Sequence, residues 1–214
     1  MKAGRYIVIE GQDGTGKTTQ ADLLATYLHS RGIDTIHIKE PGGSPVAEAI
    51  RGVILDATLP RTPMTNTLLF TANRHELWHA VIRPALKRGT WVICTRNYWS
   101  TLAFQGYGEG MDLSIISAIT ATFTDKQYMS PDFSVVLAFD DIAARQKRIA
   151  SRGKLAKPDT FESKTTDFQT RVQGGYRQIA KEFEIPLLDA SRSIEAIHSD
   201  IVGRLEKSQL LASS

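Results

Sequence analysis

The 214-residue chain has one cysteine, Cys94. A lone thiol excludes an internal disulfide framework and a cysteine-based zinc site, and inside an apolar run it reads as an inert small hydrophobe. Long apolar runs are missing too: stretches such as Tyr6-Ile7-Val8-Ile9 fall far short of the ~20 residues a membrane span needs. No five basic residues follow one another, and 26 Lys plus Arg against 23 Asp plus Glu leave a net charge of only +3. That balance suits scattered charges or a basic pocket for small anions rather than a polyanion surface. There are no internal repeats and no low-complexity linker. Residues 1–5 run straight into a strand-like segment without an apolar signal region, so a cytoplasmic protein is expected, with neither membrane nor nucleic acid as partner.

The apolar fraction of 42% and charged fraction of 23% exclude a disordered, collagen-like or coiled-coil chain. The length suits one domain, expected over 1–207, followed by a frayed tail at 208–214. Apolar runs and helical patterns then alternate. Strands are expected at 5–10, 33–39, 90–95, 133–139 and 186–188. Helices are expected at 17–31, from 45 to about 55, at 65–88 with a bend near Pro84, and at 99–105, 113–123, 141–151, 160–184 and 193–207. Such alternation implies an α/β fold: three layers, with a five-stranded parallel sheet covered by helices on both faces. Ligands in such folds bind beyond the carboxyl ends of the strands, here after Glu10, Lys39, Thr95 and Phe139.

Gly11-Gln12-Asp13-Gly14-Thr15-Gly16-Lys17-Thr18 fits G-x-x-x-x-G-K-[ST], and it lies between a strand and a helix, the context the motif requires. Its glycines let backbone N–H groups converge, and the helix N-terminus adds positive potential, making a polyphosphate cradle for ATP. Thr19 continues it. Lys17 is expected on the β- and γ-phosphates, and the Thr18 hydroxyl on Mg²⁺. Asp13 would repel a triphosphate. A carboxylate there makes sense if it reaches a hydroxyl or amine of a second substrate.

Phosphoryl transfer needs several cations around the moving group, and arginine forks match phosphate oxygens. Arg51, Arg74, Arg96, Arg148 and Arg152 stand after strands or in the basic stretch near residue 153. His75 and His79 share a helix face, but with no third ligand in view they read as packing or surface.

These segments together resemble one family. Lys39-Glu40-Pro41-Gly42-Gly43-Ser44 is similar to the T-R-E-P-G-G-T of thymidylate kinases. The run 68–74 resembles their L-L-F-x-A-D-R, and 92–106 their V-I-x-D-R-Y…S-x-A-Y-Q-G. With the phosphate loop and 148–153, the resemblance spans roughly residues 5–190. It implies transfer of the ATP γ-phosphoryl group to dTMP. It implies that Asp13 meets the sugar 3′-hydroxyl and that Arg51 and Arg96 hold the acceptor 5′-phosphate. Phe70 would stack on the pyrimidine and Arg74 contact the base. Ser100, Thr101 and Gln105 would line base and sugar, Glu40 would be among the substrate-binding residues, and Phe104 would crowd the 2′ position. Residues 151–160 would form a mobile lid. Because Gln12, Gly14 and Thr15 leave the phosphate loop without an arginine, Arg152, with Arg148 second, would supply the catalytic one. A homodimer is implied as well.

The sequence departs from the family pattern around the acceptor and the metal. Thr95 stands where the family has an aspartate that helps organise Mg²⁺, and Asn73 replaces the Asp of A-D-R. Asn97, Trp99 and Lys39 also differ. These changes open a shifted base preference, for instance a 5-substituted dUMP, as an alternative acceptor. A phosphate-loop ATPase or a catalytically dead scaffold is the reading from a different class.

Overall fold

The computed structural model describes residues 3–150, 160–161 and 164–212. Its frame is a parallel sheet of β1 (Tyr6–Gly11), β2 (Thr35–Lys39), β3 (Trp91–Thr95), β4 (Phe133–Ala138) and β5 (Leu187–Asp189), in the order β2-β3-β1-β4-β5. Ile7 pairs with both Ile93 and Phe133, which places β1 at the centre. The chain leaves β1 toward β2 and β3 on one side, then crosses to β4 and β5 on the other. The point of reversal, at the carboxyl end of β1, is where such sheets open a crevice.

Strand alternation divides the core. Ile7 and Ile9 face α1 (Lys17–Ser30) and α10 (Ile194–Lys207), packing with Leu24, Leu28, Ile197 and Ile201. Tyr6 and Val8 face the other layer, with Trp78, Leu102 and Tyr176. That layer holds α2 (Pro45–Leu55), α3 (Pro63–Leu77) and α4 (Arg83–Lys87), then α5 (Tyr98–Thr101), α6 (Leu113–Phe123), α7 (Lys126–Met129) and α9 (Thr166–Glu182). Helix α8 (Ile142–Ala150) follows β4.

The expected strands are all found, with ends shifted by a residue or two. The helix expected over 65–88 is instead two helices joined by a π-helical turn, Trp78–Ile82. The widened turn falls where Pro84, lacking an N–H, would leave a carbonyl of the preceding turn unpaired. The segment expected as helix 99–105 is the short α5 continued by a π-helical stretch, Leu102–Gly108. Helix α9 begins at Thr166 rather than 160, capped by the Thr165 hydroxyl, which accepts from Phe168 N. The tail over 208–212 forms turns, and Leu210 and Leu211 pack against the α1/α10 side of the core, apolar contacts that tie it down. The lid expected at 151–160 lies, apart from Thr160, outside the described residues, and so does Arg152.

Candidate active site

The phosphate loop connects β1 to α1. Gly16 caps α1 at φ +90°, a left-handed conformation that glycine adopts without strain. No side chain caps this helix and its first turn carries no acid, so its terminal N–H groups face the crevice. The Thr15 hydroxyl (2.9 Å) and Lys17 Nζ (2.8 Å) both donate to Gln12 O. Gln12 turns its own side chain away and donates Nε2 to Gln169 O in α9. Thr18 and Thr19 are exposed. Burial, with Arg96 nearby, holds the Lys17 ammonium well below its ordinary pKa. An entering polyphosphate supplies the negative charge that reverses this shift.

Arg145, which the sequence reading overlooked, braces the loop from α8. It is buried, its Cγ lies beside Gly14, and Nη1 donates to Asp13 O at 2.9 Å. Nothing in its spacing marks it out, because it sits in a helix and belongs to no motif. Arg148 donates Nη1 to Ala190 O at 2.9 Å and lies over the Phe139 ring. It borders a groove with Thr15, Gly16, Thr19, Arg192 and Ile194, which Asp13 does not line. Arg148 thus borders the groove beside the phosphate loop and does not line the pocket that holds Asp13 and Arg96.

On the other side of the loop, one pocket brings together nine residues expected at the acceptor: Asp13, Glu40, Arg51, Phe70, Arg96, Ser100, Thr101, Phe104 and Gln105. Lys39, Pro41, Leu55 and Phe161 complete it. Phe161 had no motif to announce it. Its ring lies 5.8 Å from both Phe70 and Phe104, so three aromatics wall one side.

Arg96 is the centre of this pocket. It follows β3 with φ +80°, a strained conformation for a non-glycine residue and one that clusters at functional sites. Nη2 donates to Asp13 Oδ1 at 2.6 Å, and Nη1 to Gly11 O, Ser100 Oγ and the Tyr176 hydroxyl. Burial opposes its charge, but the Asp13 carboxylate overrides that and raises its pKa. For Asp13 burial acts upward, while Arg96 and then Lys17 hold the carboxyl well below the usual range, so it is ionised. Glu10, fully buried, underlies the cluster. It accepts from Asn97 N, Ser100 N, Ser100 Oγ and the Tyr176 hydroxyl at 2.8–3.1 Å. Glu10 was missed because a single acid at a strand end looks like any other.

Arg74 does not line the pocket; it lies behind it, 2% exposed. Nε donates to Glu40 Oε2 (3.3 Å) and the Tyr128 hydroxyl (2.7 Å), and Nη2 to Thr101 Oγ1 (3.0 Å). The Tyr128 hydroxyl in turn donates to Glu40 Oε1 at 2.7 Å. Burial raises the Glu40 pKa in spite of Arg74. Two buried atoms next to this cavity have no partner among the described residues: Arg74 Nη1, a donor, and Gln105 Oε1, an acceptor.

Of the departures named from the family pattern, Lys39 lines the pocket, while Asn73, Thr95, Asn97 and Trp99 lie off its wall. Asn73 accepts from Gly42 N and donates to Ala47 O, two roles that an aspartate could not fill together. Trp99 packs with Tyr98 and Phe183. The Asn97 side chain accepts from Trp99 N. Thr95 is buried, with its hydroxyl toward Ile38 O at 3.4 Å.

A phosphate loop at the switch point of a parallel sheet, facing a second pocket walled by arginine, carboxylate and aromatic side chains, defines a P-loop phosphotransferase that takes two substrates. The thymidylate kinase family model matches residues 9–201. The chain is 38% identical to a thymidylate kinase of Gloeobacter violaceus, over 92% of each chain. It is 37% identical to that of Chromohalobacter salexigens, over 96% of each. A crystal structure of thymidylate kinase from Ehrlichia chaffeensis superposes with a TM-score of 0.76 at 29% identity, covering 95% of this chain and 99% of that one. The chain belongs to the thymidylate kinase family, whose members are nucleoside monophosphate kinases.

Proposed function

We propose that this protein transfers the γ-phosphoryl group of ATP to dTMP, giving dTDP and ADP. The observation that carries this reading is the direct ion pair between Asp13, inside the phosphate loop, and Arg96, at the acceptor pocket. One contact spans the boundary between the two substrates, where the transferring group must pass. Lys17 and the α1 N-terminus bind the donor phosphates. Arg96 and Arg51 hold the acceptor phosphate, and the strained Arg96 backbone pre-sets that cation. Because the transition state spreads charge over phosphoryl oxygens, fixed cations at this boundary are the main catalytic resource. The ionised Asp13 accepts from the sugar 3′-hydroxyl. Phe70 stacks on the base, and Phe104 fills the space a 2′-hydroxyl would need. Gln105 Oε1, a buried acceptor without a partner among the described residues, matches the N3–H of thymine, while Arg74 holds Glu40 and Thr101 from behind the pocket. Arg152, and Arg148 from the donor side, add charge to the phosphates.

The residues present fit Mg²⁺ brought in with ATP. Thr18 offers an exposed hydroxyl and Asp13 an ionised carboxylate, and among the described residues no group of three His, Cys, Asp or Glu forms a cage. Thr18 would help to hold the ion, which when bound would neutralise charge on the phosphates. No helix among the described residues is long and apolar enough to cross a membrane. We place the enzyme in the cytoplasm. Met64 and Leu68 of α3, with Ile115 and Phe123 of α6, are exposed apolar side chains, which supports a homodimer through these helices.

The test is steady-state turnover with ATP, Mg²⁺ and a panel of dTMP, dUMP, 5-hydroxymethyl-dUMP, dCMP, dGMP and dAMP. The reading expects the highest kcat/KM on dTMP. A preference for a 5-substituted dUMP keeps the kinase and replaces its acceptor, and no acceptor-dependent turnover overturns the reading in favour of a scaffold.

A further inference from the structure

Gln105 lines the acceptor pocket, yet its amide could in principle turn either way, offering the pocket a donor or an acceptor. Its surroundings remove that freedom. Gln105 Nε2 faces Glu109 Oε2 at 3.4 Å, and a carboxylate only accepts. The Glu109 side chain is 5% exposed and is held by Lys164 Nζ at 2.9 Å and by Asn66 Nδ2, 3.3 Å from each oxygen. Asn66 is itself fixed. Its Oδ1 accepts from Arg61 Nε at 3.0 Å, and a guanidinium only donates. Arg61 is anchored in turn on Ile54 O, Leu59 O and Thr160 Oγ1.

We infer that Arg61, Asn66 and Glu109 form a polarity relay that locks the Gln105 amide with its oxygen toward the acceptor base, making Glu109 a positioning residue for base choice. The relay begins at a donor-only group and ends at an acceptor-only group. Each amide between and beyond them therefore has one permitted orientation, and Gln105 Oε1 is left buried and without a partner. An acceptor fixed there takes the N3–H of a keto pyrimidine. Cytosine presents a lone pair at N3 and would leave two acceptors face to face. Sites that hydrogen-bond a substrate group reject analogues lacking it, because buried polar atoms then go unpaired. The inference rests on the dTMP reading of the pocket and adds how that preference is enforced.

The test compares kcat/KM for dTMP, dUMP and dCMP. Glu109→Gln keeps shape but can donate, which frees Gln105 to turn. The dTMP-to-dCMP ratio should fall about tenfold, the cost of one mispaired buried group, while the dTMP-to-dUMP ratio stays unchanged, since both bases carry N3–H. Glu109→Asp, still acceptor-only, should keep the dCMP ratio. Lys164→Met should keep it too, because that change leaves the carboxylate's polarity intact. Gln105→Met should lower the ratio as Glu109→Gln does, and adding Glu109→Gln in that background should lower it no further. Equal losses on all three acceptors with both ratios unchanged would make Glu109 structural and overturn the relay. A ratio that keeps falling in the double variant would show that Glu109 does not act through Gln105, and would also overturn it. If Glu109→Gln does not fold, Glu109→Asp decides: a collapsed dCMP ratio there contradicts the relay, and a preserved one supports it. Poor discrimination of dCMP by the unaltered protein would overturn the base reading and the relay together, an outcome distinct from good discrimination that the variants fail to disturb.

Discussion

The donor cradle and the acceptor pocket sit a few residues apart and are built in opposite ways. The cradle is one contiguous loop, residues 11–18, with backbone N–H groups and an open helix end as its working parts. The acceptor pocket draws Asp13 from that loop, Glu40 from just after β2, Arg51 from α2, Phe70 from α3, Arg96 from just after β3 and Gln105 from the π-helical stretch. Its side chains are held by buried acids: Glu10 beneath Ser100 and Tyr176, and Glu40 paired with Arg74. Local sequence suffices to recognise any nucleotide triphosphate by its phosphates. Selecting one monophosphate takes groups whose geometry only the assembled fold sets.

Substitutions at the two ends should therefore fail differently. The largest expected effect is Lys17→Ala. It removes a cation from the transferring phosphates and should lower kcat about 10³-fold, with Tm within a few degrees of the unaltered protein. Steady-state kinetics beside a thermal melt checks both. Arg96→Gln should cost about 10²-fold in kcat/KM for the acceptor and leave the KM for ATP nearly unchanged. Comparable losses on both substrates would erase the distinction between the two regions.

Next comes a stability effect confined to the acceptor side. Arg74→Met leaves Glu40 buried with only Tyr128 as partner, and removing one member of a buried pair costs about 3–5 kcal/mol. Urea unfolding should show it, while Lys17→Ala should show almost none. The smallest effect concerns pH. The Asp13 carboxyl is depressed in the folded protein by Arg96 and Lys17, against the pull of burial. Its stabilising contribution is complete above the unfolded value of about 3.9 and is lost as pH falls below it. Asp13→Asn should flatten the acid side of a Tm-against-pH curve below about pH 4. An unchanged acid limb would mean that solvent screens the pair, whose carboxylate side chain is 37% exposed.

The same contrast explains what could be read from the sequence. The alternation of strands and helices is a local periodicity, and so are the phosphate loop and the Glu40-Pro41-Gly42-Gly43 run. These gave the sheet, the crevice and Asp13, and the resemblance to the thymidylate kinase family implied the other eight of the nine pocket residues. Arg145, Glu10, Tyr128, Tyr176 and Phe161 carry no local signature. Each works through a partner tens of residues away or more, as Glu10 does through Tyr176. Arg74 belongs to the expected site, but its burial behind Glu40 and Thr101 depends on long-range hydrogen bonds to Glu40, Tyr128 and Thr101. Helix boundaries erred where tertiary demands override propensity, at the π-helical turns before Pro84 and after Thr101. Asn73, Asn97 and Trp99 looked like changes to the base pocket. They turned out to be turn-forming and packing residues, which leaves Lys39, of the departures named, on the pocket wall.

The central claim is that a single phosphoryl group crosses the Asp13–Arg96 boundary from ATP to dTMP. The most direct measurement follows the label of γ-³²P-ATP, with Mg²⁺ and dTMP present and Lys17→Ala as the blank. The account predicts that label accumulates in dTDP at the rate ADP forms, and only when dTMP is present. Release of the label as free phosphate at the same rate with or without dTMP would contradict it.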